Sequence, residues 1–271
     1  MVSAGLSPAP VMSERAHTCL RPGPGTIVNG VRIDPVDRDR FTKTVESFLS
    51  CGLSHVVHLL PADPIVRGMD DRAYRDMLNE GELNVPDGKS VVWALRLKGV
   101  TAERLAGSDA MELLARHGER DGLRHYLFGG ASPVVTALQA RLELRYPRIA
   151  LVGAESPPFR TLEERELAEA AERIRAESTQ LLWLGLGTPK QDLVAAAFRR
   201  LHAAPVILCI GAAFDFLAGT KKRAPAWMQR AGLEWLHRLG SEPARLGRRY
   251  LVGNPRFVWG VARELVARTD D

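Results

Sequence analysis

The sequence predicts an α/β fold, a mainly parallel sheet with crossover helices, followed by a C-terminal helical appendage. Three observations carry this expectation. Short β-branched runs alternate with segments of helical period, the pattern of parallel strands joined by crossovers. The 271 residues are 45% apolar, enough for a sizeable core without cross-links. From Ala226 onward the strand-like runs stop and amphipathic helical stretches take over.

Taken in order, residues 1–30 form a Pro/Gly-rich start, with Pro8, Pro10, Pro22 and Pro24, that reads as flexible. It has no uninterrupted apolar run behind a basic beginning, so it reads as neither signal peptide nor membrane span. Strands are expected at residues 54–60, 124–128, 149–152, 180–184 and 206–210. Helix starts are marked by Ser132 as cap with Pro133 as first residue, and by Thr161 with Glu164 as a capping box. Gly118 reads as the stop of the helix through residues 111–116. Three helical stretches close the chain at about residues 226–239, 242–251 and 255–268. The organisation predicted is a flexible start (1–30), an α/β body (31–219) and a basic helical appendage (220–271). No window reaches the ~20 apolar residues of a spanning helix, so the protein is expected to be soluble or peripheral.

Cys19, Cys51 and Cys209 are widely spaced and odd in number, without C-x-x-C pairing. They are expected to be reduced thiols, with neither zinc nor a disulfide. The net charge of +5 is unevenly placed: residues 220–271 hold eleven Lys/Arg against five Asp/Glu (+6), which leaves −1 for the first 219. A neutral body with a basic tail points to an anionic partner, either lipid headgroups, diphosphates or nucleic acid.

Residues 182–191, L-W-L-G-L-G-T-P-K-Q, run a strand into Gly185 and Gly187 and open a helix near Pro189. Glycines before a helix N-terminus offer backbone N–H groups and the helix dipole to an anion, and the same residues also make an ordinary tight turn. The dinucleotide fingerprint is incomplete, because Lys190 stands at the third glycine position. Gly129 and Gly130 lie in a second strand-to-helix turn, again either a binding crevice or a plain connection. Asp87 sits in a P-D-G turn. Nearby, Arg104 is suited to phosphate, while Ser108 or Asp109 can cap a helix. Asp215, between two phenylalanines past a strand, needs a partner if buried, either a ligand or backbone N–H groups or Arg223. In the tail, Trp227, Trp235, Tyr250, Phe257 and Trp259 interleave with arginines, as in an interfacial helix, a nucleic-acid surface or core packing under a charged face. Asp37-Arg-Asp39 reads as solvated surface, and His58 as a satisfied strand residue. No H-E-x-x-H, nucleophile elbow or Walker loop occurs.

Seven strings then stand in unbroken order over residues 54–266. They are P-D-G at Asp87, R-x-x-G-S-D from Arg104, G-L-G-x-P-K-Q to Gln191, F-D-F-x-A-G around Asp215, K-R-A-P-x-W to Trp227, G-L-E-W-L-x-R-L to Leu239 and E-P-x-R-x-x-R-R-Y to Tyr250. Together they resemble the WecG/TagA/CpsF glycosyltransferases, family 26. The resemblance implies a Rossmann-like body with a membrane-docking appendage, on the cytoplasmic face of the plasma membrane. The implied reaction is inverting transfer from a UDP-sugar to a polyprenyl-diphosphate-linked sugar in teichoic-acid, exopolysaccharide or antigen assembly. It implies Asp87 as the base, donor-site roles for Arg104, Gln191 and Asp215 beside the glycine turns, and diphosphate contacts for Arg223, Arg245, Arg248 and Arg249. Many members carry T-x-N after the first core strand, whereas this strand ends L-L-P-A-D at Asp63, so the resemblance does not fix the sugar as N-acetylmannosamine.

Fixed arginines and helix termini can stand in for a metal at a leaving diphosphate, so no obligate cation and no cofactor are expected. The partners expected are the UDP-sugar, the lipid-linked acceptor and an anionic membrane, not nucleic acid, with a homo-oligomeric state left open. The competing readings are a nucleotide-dependent oxidoreductase on the glycine turns and a nucleic-acid-binding module on the tail.

Overall fold

The structure, a computed structural model, describes Cys19 and residues 23–267, the side chain of Arg245 excepted. An antiparallel ribbon opens it, β1 (Thr26–Val28) and β2 (Val31–Ile33), joined by Asn29-Gly30 with both residues at positive φ. An Asn-Gly pair is the turn whose backbone twist suits a two-residue hairpin. The ribbon occupies the end of the stretch expected to be flexible. In α1 (Arg38–Ser50), Asp37 caps the helix by accepting from the Arg40 backbone N–H at 2.8 Å, and Asp39 pairs with Lys43 at the surface.

The body continues as β3 (His55–Leu60), α2 (Ala62–Asp70), α3 (Arg72–Glu80), β4 (Leu83–Pro86), α4 (Lys89–Leu97), α5 (Gly107–Asp121), β5 (Arg124–Gly129) and α6 (Ser132–Arg145). It ends with β6 (Ala150–Glu155), α7 (Glu164–Ala176), β7 (Leu181–Gly185), α8 (Lys190–Arg200), β8 (Val206–Cys209) and α9 (Ala213–Ala218). Six parallel strands make one sheet in the order β4-β3-β8-β7-β5-β6. With helices on both faces this is a Rossmann-like fold. Because a strand points alternate side chains to opposite faces, Leu181 and Trp183 of β7 enter one core with Phe41, Phe48, Leu138 and Phe214, while Leu182 and Leu184 enter another with Ile174 and Phe198. A third cluster joins the ribbon, α2, α3 and α4 to the appendage.

The appendage comprises α10 (Ala226–Arg230), α11 (Glu234–Ser241) and α12 (Pro243–Ala267). The two last stretches expected separately are one helix, with Pro255 inside it. Proline removes a helical N–H. Packing outweighs that loss: Phe257 and Val261 are buried beside Leu60, Ile65 and Leu95, and the Asn29 side-chain N–H donates to the Phe257 carbonyl at 3.1 Å. Among the described residues no helix is long and apolar enough to cross a membrane.

Several local expectations are corrected. Ser132 is the first residue of its helix and no side chain caps it. The capping box is formed by Glu163 and Glu166, two residues past Thr161, where both reciprocal bonds close. Gly118 lies inside α5, packed against His125, and the helix stops at Gly122 with φ +66°. Neither Ser108 nor Asp109 caps α5, because it begins earlier, at Gly107. Cys19 and Cys51 form a disulfide, and only Cys209 is a free thiol, a buried one. The fold brings Cys19 to the end of α1, a proximity that linear spacing does not reveal.

His125, fully buried on β5, accepts from the Trp183 indole N–H at 3.1 Å, and burial pushes its pKa down to about 4. An unfolded imidazole titrates near 6.5. Between those values the unfolded chain binds the extra proton, so stability falls as pH is lowered, by about 2 kcal/mol from pH 7 to pH 5. Denaturant midpoints at the two pH values check this. The His125→Gln variant should lose that part of the dependence, and an equal dependence in both proteins would assign it to other groups.

Candidate active site

In a parallel sheet all carboxyl ends of the strands open on one edge, and the loops there form the binding crevice. Here a cavity of about 580 Å³ lies on that edge, between the ends of β3, β4, β7 and β8 and a roof made by the appendage. Four helices begin at its wall, at Lys89, Gly107, Lys190 and Ala213, and in none of them does a side chain cap the start. Their first N–H groups and the positive ends of their dipoles therefore meet whatever occupies the cavity.

Asp87, at the end of β4, faces Arg104 from the loop after α4. The Arg104 Nε–H donates to the Asp87 backbone carbonyl, and its Nη2 stands 3.3 Å from Asp87 Oδ1 and 2.8 Å from Oε2 of Glu234, the first residue of α11. Burial pushes the Asp87 carboxyl above its ordinary pKa, opposed by Arg104, reinforced by Glu234, and opposed again by Arg238 and Arg223. Arg223 forms a two-pronged bridge to Asp109 at 2.7 and 3.3 Å. Burial raises the Asp109 carboxyl, yet the bond and charge of Arg223, with the charges of Arg104 and Arg38, hold it below the usual range.

Gln191, in the first turn of α8, is 5% exposed and lines the cavity, and its Oε1 has no hydrogen-bond partner among the described residues. Behind it, Asp192 accepts from the Tyr74 hydroxyl at 2.7 Å and lies 3.1 Å from His58 Nδ1, a buried network that fixes the start of the helix. Cys209 is close enough to His58 and Asp192 for the three to share an ion, but behind the cavity wall. Asp63 and Asp87 are the carboxylates of the body at the cavity, and each faces an arginine, Asp63 being 3.0 Å from Arg249.

The structure thus gathers Asp87, Arg104, Gly187, Gln191 and Arg249 at one cavity, with Arg223 close behind. It leaves others outside. A Cβ on Gly129 (φ +140°) would lie 2.6 Å from the Gly185 backbone, and one on Gly185 would lie 2.5 Å from the Phe214 ring, so close packing accounts for both glycines. Gly130 donates to the Gly185 carbonyl at 3.0 Å in the same contact. Asp215 does not line the cavity either. It accepts from Thr220 and lies 3.6 Å from Lys221, and Arg223 goes to Asp109 instead. Arg248 is exposed on α12, and the Arg245 side chain falls outside the described residues.

Residue-by-residue reading missed Glu234, Arg238, Lys89 and Trp93, all of which line the cavity. Glu234 and Arg238 belong to the G-L-E-W-L-x-R-L string, so the signal was present without a role attached. Lys89 and Trp93 carry no local signal and arrive only because α4 starts directly after the P-D-G turn. Trp235 is half-buried at the cavity, edge-on to Tyr250, and not in a core.

A profile of the WecG/TagA/CpsF glycosyl transferase family matches residues 26–271, which takes in the ribbon, the sheet, the cavity walls and the appendage. A match over nearly the whole chain, with its strings gathered around one cavity, identifies this protein as a member of the WecG/TagA/CpsF glycosyltransferase family, the sugar-transferring enzymes of cell-surface polysaccharide synthesis.

Proposed function

We propose that the enzyme transfers a sugar from a UDP-sugar to a hydroxyl of a polyprenyl-diphosphate-linked sugar in one inverting displacement. Asp87 takes the proton of the acceptor hydroxyl as its oxygen bonds to the anomeric carbon. The bond from that carbon to the β-phosphate oxygen breaks, and UDP leaves with the electron pair. Charge that grows on the diphosphate meets Arg104 and the uncapped helix starts, whose dipoles are already oriented and need no reorganisation. These residues supply the positive charge themselves, without a resident cofactor.

The observation that carries this reading is Gln191: a side-chain carbonyl oxygen, buried and without a partner among the described residues, at the wall of a cavity ringed by helix starts. Leaving such a group unsatisfied is costly, and an N–H or O–H of a nucleoside removes the cost. Removing one such bond should weaken UDP binding about fivefold, and calorimetry on Gln191→Ala and Arg104→Ala checks it. Unchanged UDP affinity in both variants would take them out of the donor site.

The acceptor would be met at a membrane. On α12, Leu251, Val252, Val258, Trp259 and Val266 are all at least half exposed and recur at helical spacing, beside the exposed Arg248. A stripe of this kind can sink into the headgroup boundary while basic residues meet anionic lipid, so the enzyme would work peripherally on the inner face of the plasma membrane.

A further inference from the structure

The appendage contributes a carboxylate to the centre of the site. Glu234 and Asp87 come from elements far apart in the chain, yet both lie on Nη2 of Arg104, and Glu234 is the nearer, 2.8 Å against 3.3 Å. The three side chains are only 15–23% exposed, so water screens them weakly. As the first residue of α11, Glu234 sits at the positive end of that helix's dipole.

We propose that Glu234 is a positioning residue of the active site: it takes a share of Arg104 Nη2 from Asp87, so that the aspartate remains a stronger base than its arginines alone would leave it. This rests on the reading of Asp87 as the base. The groups that face Asp87 are unbalanced without it. Arg104 comes from the loop after α4, Arg238 from α11 and Arg223 from the loop before α10, and all three draw the carboxylate towards its charged, less basic form. Lys89 at the start of α4 lines the same cavity, Asp109 is occupied by Arg223, and Asp63 is occupied by Arg249. Glu234 is thus the negative charge that offsets the arginines at Asp87. Neutralise it, and the charge of Arg104 Nη2 falls on Asp87 alone.

The sign of the effect follows. The base works deprotonated, so activity is lost as pH falls through the Asp87 pKa, and kcat/KM for the acceptor reports that limb in the free enzyme. In Glu234→Gln the limb should move to lower pH, and the plateau above it should fall about three- to tenfold, because a weaker base accepts the proton less readily. Glu234→Asp, which keeps the charge, should return the limb towards the wild-type position. pH profiles of kcat/KM for wild type, both Glu234 variants and Asp87→Asn form the test. If Asp87→Asn is inactive and Glu234→Gln loses activity equally at all pH values with its limb unmoved, Glu234 is merely structural and the proposal fails while the base assignment stands. If Asp87→Asn keeps its turnover, the base assignment itself fails, and this inference with it.

Discussion

Replacing Asp87 by Asn is expected to lower turnover by about 10²–10⁴-fold, the usual contribution of a general base. The substitution conserves shape. Arg104 still donates to the backbone carbonyl at position 87 and still meets Glu234 at 2.8 Å, so no guanidinium is left without a partner. Folding and UDP affinity should therefore stay near wild type, and the loss should appear in kcat, as for an interaction made only in the transition state. Steady-state kinetics beside UDP calorimetry separates the two. Retained turnover would place the base elsewhere. The structure then directs attention to Asp63, which lines the cavity, before Asp215, which does not.

The second large effect is expected from removing the appendage after Gly219. That cut takes away the roof of the cavity, including Glu234, Arg238, Arg249 and Tyr250, and transferase activity should fall below detection. Binding to anionic liposomes should go with it, since the cut removes the +6 segment and the exposed stripe of α12. Each basic residue near an anionic surface contributes about 1 kcal/mol, so a few engaged side chains suffice for reversible docking. Stability should also drop, because Leu246, Phe257 and Val261 are buried and the last two share a core with Ile33, Leu60 and Ile65. A milder pair of changes isolates docking: Leu251→Asp with Trp259→Asp, at positions 65% and 68% exposed and away from the cavity. This variant should keep turnover on a short-chain, water-soluble acceptor and lose liposome co-sedimentation. A truncated protein that still sediments and turns over lipid acceptor normally would reduce the appendage to packing.

Five strands of the sheet were legible, the central ones because they are buried on both faces and so read as continuous apolar runs, as in L-L-W-L of β7, whereas the four-residue edge strand β4 was not placed. The parts that escaped were short or depended on distant partners. The three-residue strands of the ribbon offer almost no period to read, although the Asn29-Gly30 pair between them is a turn signal in its own right. The join of the last two helical stretches across Pro255 was hidden because the packing of Phe257 and Val261 decides it, against the local preference of proline.

The site divides in the same way. Asp87 directly follows β4 and Gln191 opens the helix after β7, and a residue at the carboxyl end of a parallel strand is placed by the fold itself, whereas Arg104 reaches the site from the loop after α4. Gly129 and Gly185 have the same sequence appearance, yet the closeness of their backbones to each other and to Phe214 gives them a packing role. That distinction lies in distances between separate segments, which no single string contains. Glu234 is the clearest case, because its role exists only through an arginine 130 positions earlier in the chain, the difference between 234 and 104.

The measurement that bears most directly on the central claim is a transfer assay in which a panel of UDP-sugars is offered with a synthetic polyprenyl-diphosphate-linked sugar, following both released UDP and the anomeric configuration of the product. One UDP released per glycosidic bond formed, with inverted configuration, is the result expected of a single displacement assisted by Asp87. Retained configuration, or no consumption of any UDP-sugar by a protein that instead binds NAD(P), would contradict it.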